Sequence, residues 1–207
     1  MNRENETRKV SKSTAKRLPG YLRILKKLID GNEFRVSSTR LASLLGASPS
    51  QVRQDLSSLG EFGLRGYGYD TRVLYTSILD IAGVREEYSA VIVGTEEMVS
   101  MLKSRPVFVG QGVALKKCFS TAKENALGLF EDYAKKERPD IIVLATEGDS
   151  TEKAIEVIKT LKIKGVWNFS NVKIKLDVPV KNLWIDDSLM TLCYDIGKKE
   201  TKERKTK

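Results

Sequence analysis

Two short runs of apolar residues, Ala90-Val91-Ile92-Val93 and Ile141-Ile142-Val143-Leu144-Ala145, constrain what this chain can fold into. They are too short for helices and show no polar alternation, so they read as strands buried on both faces, the signature of a parallel sheet sandwiched between helices. The surroundings fit. The pattern predicts a strand over 88–94 running into a helix around 99–103, a helical stretch near 121–136, a strand over 139–145, a helix over 151–161 and a strand over 165–169. A second strand is expected to end near Val107-Phe108-Val109-Gly110-Gln111. Strands alternating with helices predict a doubly wound α/β sheet. Asp186 through Ile196 predicts a terminal helix with Leu189, Leu192 and Ile196 on one stripe.

The first third of the chain differs. A helix is predicted over 16–30, with Leu18, Leu22, Leu25 and Ile29 on its apolar face and Pro19 in its first turn. Ser37 or Ser38 can cap a second helix, with Leu41, Leu44 and Leu45 inward and Gly46 ending it. Ser48-Pro49-Ser50-Gln51 opens a third, with a serine cap, proline at the first helical position and glutamine placed for a capping box. Val52, Leu56 and Leu59 form its buried edge. Ser50, Gln54 and Ser57 lie opposite, flanked by Arg53 and Gln51. The glycine-rich stretch Gly60–Tyr69 then predicts a tight hairpin with Arg65 at its turn. A hairpin after a helix-turn-helix is a wing, and the polar outer face of the third helix is suited to the major groove. A linker helix follows, capped by Asp70, with Val73, Leu74, Ile78 and Ile81 on one side.

Charge supports this division. Residues 1–80 carry 14 Lys+Arg against 8 Asp+Glu, whereas residues 81–197 carry 16 against 17. A basic segment joined to a neutral one suits a nucleic-acid-binding domain attached to another module. The reading is therefore a winged-helix domain with linker helix over 1–83, a Rossmann-like α/β domain over 84–197 and a basic, disordered tail over 198–207. The chain has 207 residues, 41% of them hydrophobic, and no histidine. Catalytic Ser-His-Asp and Cys-His sites are thereby excluded, as is any imidazole-ligated zinc, and no metal is expected. Its two cysteines, Cys118 and Cys193, read as small buried hydrophobes, with Lys116-Lys117 able to lower the Cys118 thiol pKa. No run is long enough for a membrane helix, and the polar start is unlike a signal peptide, so a cytoplasmic location is expected.

Lys16-Arg17-Leu18-Pro19, Gln51-Val52-Arg53 with Asp55-Leu56-Ser57, Gly60-Glu61-Phe62-Gly63 and Arg65-Gly66 with Gly68-Tyr69 resemble the N-terminal domain of the Rex family of redox-sensing transcriptional repressors. Gly165, Asn168-Phe169 and Val172 match a stretch of that family's C-terminal domain. The resemblance implies a homodimer that binds an inverted-repeat operator in double-stranded DNA, with a Rossmann domain sensing the NADH/NAD ratio, NADH weakening DNA binding, and a C-terminal helix crossing to the partner subunit. With the residue reading, it places DNA contacts at Lys16, Arg17, Ser48, Ser50, Gln51, Arg53, Gln54, Arg65, Gly66 and Tyr69.

The nucleotide turn departs from the G-x-G-x-x-G that a dinucleotide requires. In Gly94-Thr95-Glu96-Glu97-Met98-Val99 only Gly94 survives as a cofactor-binding residue. Glu96 would face the pyrophosphate, and like charges about 4 Å apart repel by roughly 4 kcal/mol at an effective dielectric of 20. Val99 would crowd the strand–helix contact, and the expected second strand ends without the acid that grips a ribose. The sequence thus predicts a DNA-binding regulator, not an enzyme, with its NAD(H) response weakened or lost. A working NADH-responsive repressor is the second reading and a Rossmann-fold oxidoreductase the third.

Overall fold

In the computed structural model, residues 10–60, 62–64, 67–83, 87–105, 108 and 112–205 are described. The chain divides into two compact units, Met1–Arg85 and Glu86–Lys207.

The first unit runs α1 (Lys12–Asp30), β1 (Arg35–Val36), α2 (Ser38–Leu45), α3 (Pro49–Leu59), β2 (Gly63–Leu64), β3 (Gly68–Asp70) and α4 (Thr71–Ile81). The three strands form an antiparallel sheet in the order β1-β3-β2. This is the order of a winged helix. Its core joins Leu18, Tyr21, Leu25 and Leu28 of α1, Leu41 of α2, Val52, Leu56 and Leu59 of α3, and Leu74 and Ile78 of α4.

Three local expectations need correction. The first helix begins one turn earlier than predicted, because Ser11 caps it through the Thr14 amide; Pro19 therefore sits in the helix interior. Leu44 is exposed because the buried arc of α2 is centred on Leu41 and Ala42. On α4, capped by Asp70 as expected, Val73 and Ile81 are exposed while Thr71 shares the inward face with Leu74 and Ile78. The periodicity located the helix but misplaced the centre of its buried arc.

The second unit runs β4 (Tyr88–Gly94), α5 (Glu96–Lys103), β5 (Val113–Ser120), α6 (Ala126–Glu137), β6 (Ile141–Ala145), α7 (Asp149–Thr160), β7 (Gly165–Asn168), β8 (Val180–Asn182) and α8 (Ile185–Lys205). Its five strands are all parallel, in the order β5-β4-β6-β7-β8. Helices α6 and α7 cover one face, burying Phe130, Ala134, Ala154, Ile155 and Ile158 against Val91, Val93, Ile142 and Leu144. On the other face, α5 packs Val99 and Leu102 against Ile92 and Val143.

The second strand of the sheet is Val113–Ser120, not the segment ending near Gln111. Phe108 lies in a turn, its amide bonded to the Arg105 carbonyl, while Val107, Val109, Gly110 and Gln111 lie outside the described residues. β5 forms an edge of the sheet and exposes Lys116 and Lys117, so its pattern lacks the unbroken apolar run by which the central strands were found. The helix α8 continues to Lys205, where a disordered tail was expected. Lys, Glu and Arg, which dominate 198–205, are good helix formers once a helix has started.

Candidate DNA-reading face and nucleotide cleft

The face of α3 starts with its cap. Ser48 is extended, and its hydroxyl accepts the Gln51 amide at 3.1 Å, with Pro49 at the first helical position. The Gln51 side chain does not close the capping box. Its Nε2 donates to Asp55 Oδ1 at 3.0 Å instead. Asp55 draws it there because this buried carboxylate, 1% exposed, gathers donors from two helices. Arg17 donates from Nε and Nη2 to its two oxygens, both at 2.6 Å, and Tyr21 Oη donates at 3.0 Å. Burial pushes the Asp55 carboxyl pKa up, but the bonds from Arg17, Gln51 and Tyr21 outweigh it and hold the carboxyl below its ordinary value. Burial, reinforced by the Asp55 charge, pushes the Tyr21 phenol up. Arg17 and Gln51 are thus tied to the packing of α1 against α3. Sequence reasoning did not single out Asp55 for this role, although a carboxylate on the same stripe as Val52, Leu56 and Leu59 was a visible signal.

Ser50, Arg53, Gln54 and Ser57 are exposed together on the opposite face. Arg53 reaches Ser38 Oγ at the start of α2 and Ser50 Oγ in the first turn of α3, each at 3.3 Å. Lys16 is exposed on α1. The strands β2 and β3 pair Gly63 with Tyr69 and Leu64 with Gly68. Gly68 has φ +70°, and a Cβ there would lie 2.7 Å from the Val36 carbonyl oxygen, so this position requires glycine. Tyr69 is half-buried and packs on the core, whereas Tyr67 is exposed. Arg65 and Gly66 lie outside the described residues.

In the second unit the strand order reverses between β4 and β6, and a cleft of about 380 Å³ opens beyond the carboxyl end of β6. Met98, Thr146, Glu147, Gly148, Phe169 and Asp186 are among its lining residues. Gly94 ends β4 against β6, where a Cβ would lie 2.6 Å from the Ala145 carbonyl oxygen. The contact between neighbouring strands therefore explains this glycine. Thr95 caps α5 through the Met98 amide at 3.3 Å. Glu96 and Glu97 occupy the first turn, and both are exposed. Val99, 5% exposed, does not crowd the helix–strand contact as expected: it joins Leu102 in packing α5 against Ile92, Val143 and Ala145. Asn168, fully buried, donates to the Val172 carbonyl and to Asn182, both at 2.8 Å, and accepts from Ser170, which fixes the loop beside the cleft.

Of the two cysteines, Cys118 packs against the core but is only partly buried, and Cys193 is not buried. Cys118 is half-buried, and burial raises its thiol pKa. Burial outweighs the lowering that Lys116-Lys117 could supply; the cation that lowers the thiol is Lys103, while the Lys117 ammonium sits over the rings of Phe119 and Tyr133. Cys193 is exposed on α8. Among the described residues no group of His, Cys, Asp and Glu could hold a metal ion, and no helix is long and apolar enough to cross a membrane.

Comparison with known proteins agrees with this geometry. A family model described as "Putative DNA-binding protein N-terminus" matches residues 9–57. The chain is 33% identical over 211 residues to the redox-sensing transcriptional repressor Rex of Caldicellulosiruptor bescii, covering 96% of this chain and 97% of the relative. It is 31% identical to the Rex of Thermoanaerobacter pseudethanolicus, covering 93% and 92%. A crystal structure of RSP in complex with β-NAD+ and operator DNA superposes with a TM-score of 0.83 at 29% identity, covering 94% of this chain and 96% of that one. RSP in complex with β-NADH superposes with a TM-score of 0.80 at 27% identity, covering 95% and 98%. With the winged helix, the parallel sheet and these similarities extending over nearly its whole length, the chain belongs to the Rex family of redox-sensing transcriptional repressors.

Proposed function

We propose that this protein is a transcriptional repressor, not an enzyme, that binds an inverted-repeat operator in duplex DNA as a homodimer. The observation that carries the reading is the outer face of α3. Ser50, Arg53, Gln54 and Ser57 present hydrogen-bonding groups and one cation on a helix whose N-terminus is capped and whose other side is anchored by Val52, Leu56 and Leu59. Such a helix reads base edges in the major groove, with Arg53 suited to a guanine. Lys16 and the wing residues Arg65 and Gly66 contact phosphates or the adjacent minor groove. Ser48 contributes through its cap, Arg17 and Gln51 by fixing α1 to α3, and Tyr69 by seating the wing. The RSP structure with operator DNA supports the assignment by similarity. The work is divided between a reading domain over 1–83 and a sensor or dimerisation domain over 84–197, and the protein acts in the cytoplasm.

The dimer reading is supported by α8. Ile185, Leu189, Leu192 and Ile196 recur at spacings of 4, 3 and 4 on a helix exposed along that whole stretch. That spacing makes a helix–helix seam, and its occupant in this proposal is a second copy, crossing as the family resemblance implies. A two-fold protein matches a two-fold operator. Selection from a random duplex pool tests the function: the expected result is enrichment of one inverted repeat, and a pool that enriches none rules the reading out.

A further inference from the structure

We infer that the α/β unit of this family member does not accept NAD(H), so that operator occupancy is not set by that nucleotide. The inference rests on the repressor reading above and concerns how that repressor is controlled. Both the pyrophosphate position and the ribose position fail the fit.

A dinucleotide needs its pyrophosphate against the free amides at the helix following the first strand, with glycine where the backbone approaches most closely. That helix is α5. The Met98 amide is already taken by Thr95 Oγ1, and Glu96 and Glu97 occupy the first turn, so the positive end of the helix is matched by the chain's own carboxylates. Gly94 persists because Ala145 leaves no room for a Cβ, a requirement that exists without any ligand. Val99, in place of the third glycine, is a packed residue of the core and sets the spacing between α5 and β4 by its side chain.

The ribose position fails separately. The strand that should carry its acid is β5, which ends at Ser120, with Thr121 in the turn that follows. The Ser120 hydroxyl accepts the Ala122 amide at 3.3 Å, while Thr121 turns back to donate its amide to the Gly94 carbonyl at 2.8 Å. β5 is also an edge of the sheet, so among the described residues only one strand lies on this side of β4, against two in the dinucleotide order 3-2-1-4-5-6. The cleft beyond β6 adds Glu147 and Asp186, and its described lining includes no Lys or Arg. The same surroundings oppose the oxidised and reduced forms alike. A ligand that does not occupy its site cannot bias the equilibrium between DNA-bound and free states.

The test uses the full chain and its selected operator. Operator binding is measured first without nucleotide, so a failure of the repressor reading shows there. Calorimetry with NADH and with NAD+ then follows. Expected is no saturable heat up to about 1 mM, and operator curves that superimpose with and without NADH. A micromolar dissociation constant for NADH, or operator release driven by NADH, would overturn the inference. The triple variant E96G/V99G/S120D should gain at least roughly tenfold in NADH affinity over the unmodified chain. If it melts as the unmodified chain does and gains nothing, these residues are not the barrier and the inference fails.

Discussion

Arg17, Tyr21 and Gln51 all donate to the one carboxylate of Asp55, so this residue sets how α3 is held against α1. Asp55→Ala would leave the buried Tyr21 hydroxyl without its acceptor and Arg17 without its counter-charge, and should cost about 2–4 kcal/mol in urea unfolding. The pH dependence has a definite sign. The folded-state pKa of Asp55 lies below its unfolded value of about 3.9, so the carboxylate stabilises the fold fully above that value and progressively less as pH falls through the folded pKa. An acid titration of stability should therefore fall more steeply for the unmodified chain than for Asp55→Asn. Arg53 differs in kind: it is exposed and, among the described residues, bonds to two hydroxyls at 3.3 Å. Arg53→Ala should leave the melting temperature within a degree or two, yet cost about 1–3 kcal/mol in operator affinity and relax base preference at one position of each half-site. The outward set on α3 was legible from helical angles alone. The commitment of Gln51 to Asp55 was not, since a capping box and an i,i+4 side-chain bond draw on the same residue, and only the burial of Asp55 decides between them.

Among the elements, boundaries fixed by local chemistry were read well. Ser48 and Pro49 start α3, Asp70 starts α4, and the central strand β4 spans the predicted 88–94. Ser48→Ala should cost about 1 kcal/mol, read as a shift in urea midpoint with unchanged slope. Gly68→Ala should do more harm. It imposes a side chain at φ +70° and drives a Cβ into the Val36 carbonyl, so the wing should detach from β1, with loss of operator affinity larger than loss of stability. Elements whose positions depend on neighbours were read less well. β5 went unrecognised because an edge strand with exposed lysines lacks the apolar signature of its inner neighbours. The extent of α8 was underestimated because a run of charged residues carries no amphipathic signal past Ile196.

For the whole molecule, association is the main expectation. α8 leaves Leu189 and Ile196 61% and 51% exposed, with Leu192 between them. The triple substitution L189Q/L192Q/I196Q should convert a dimer to a monomer by sedimentation without lowering the helix content of circular dichroism. Operator affinity should fall with it, since a single half-site supplies only part of the contacts. A monomeric variant that binds the full operator as tightly as the unmodified chain would contradict the dimer.

The sequence by itself determined the winged helix, the parallel sheet and the departure of the nucleotide turn from its motif. These follow from patterns local to a few residues: caps, glycines, and the period at which apolar side chains recur. Only the tertiary structure decided that Gly94 serves the contact with Ala145, that Val99 belongs to the core, that Thr121, just past the end of β5, bonds back to Gly94, and that Asp55 binds α1 to α3. Each of these is a contact between segments far apart in the chain, and no local pattern records which distant side chain will fill a given space or accept a given hydrogen bond.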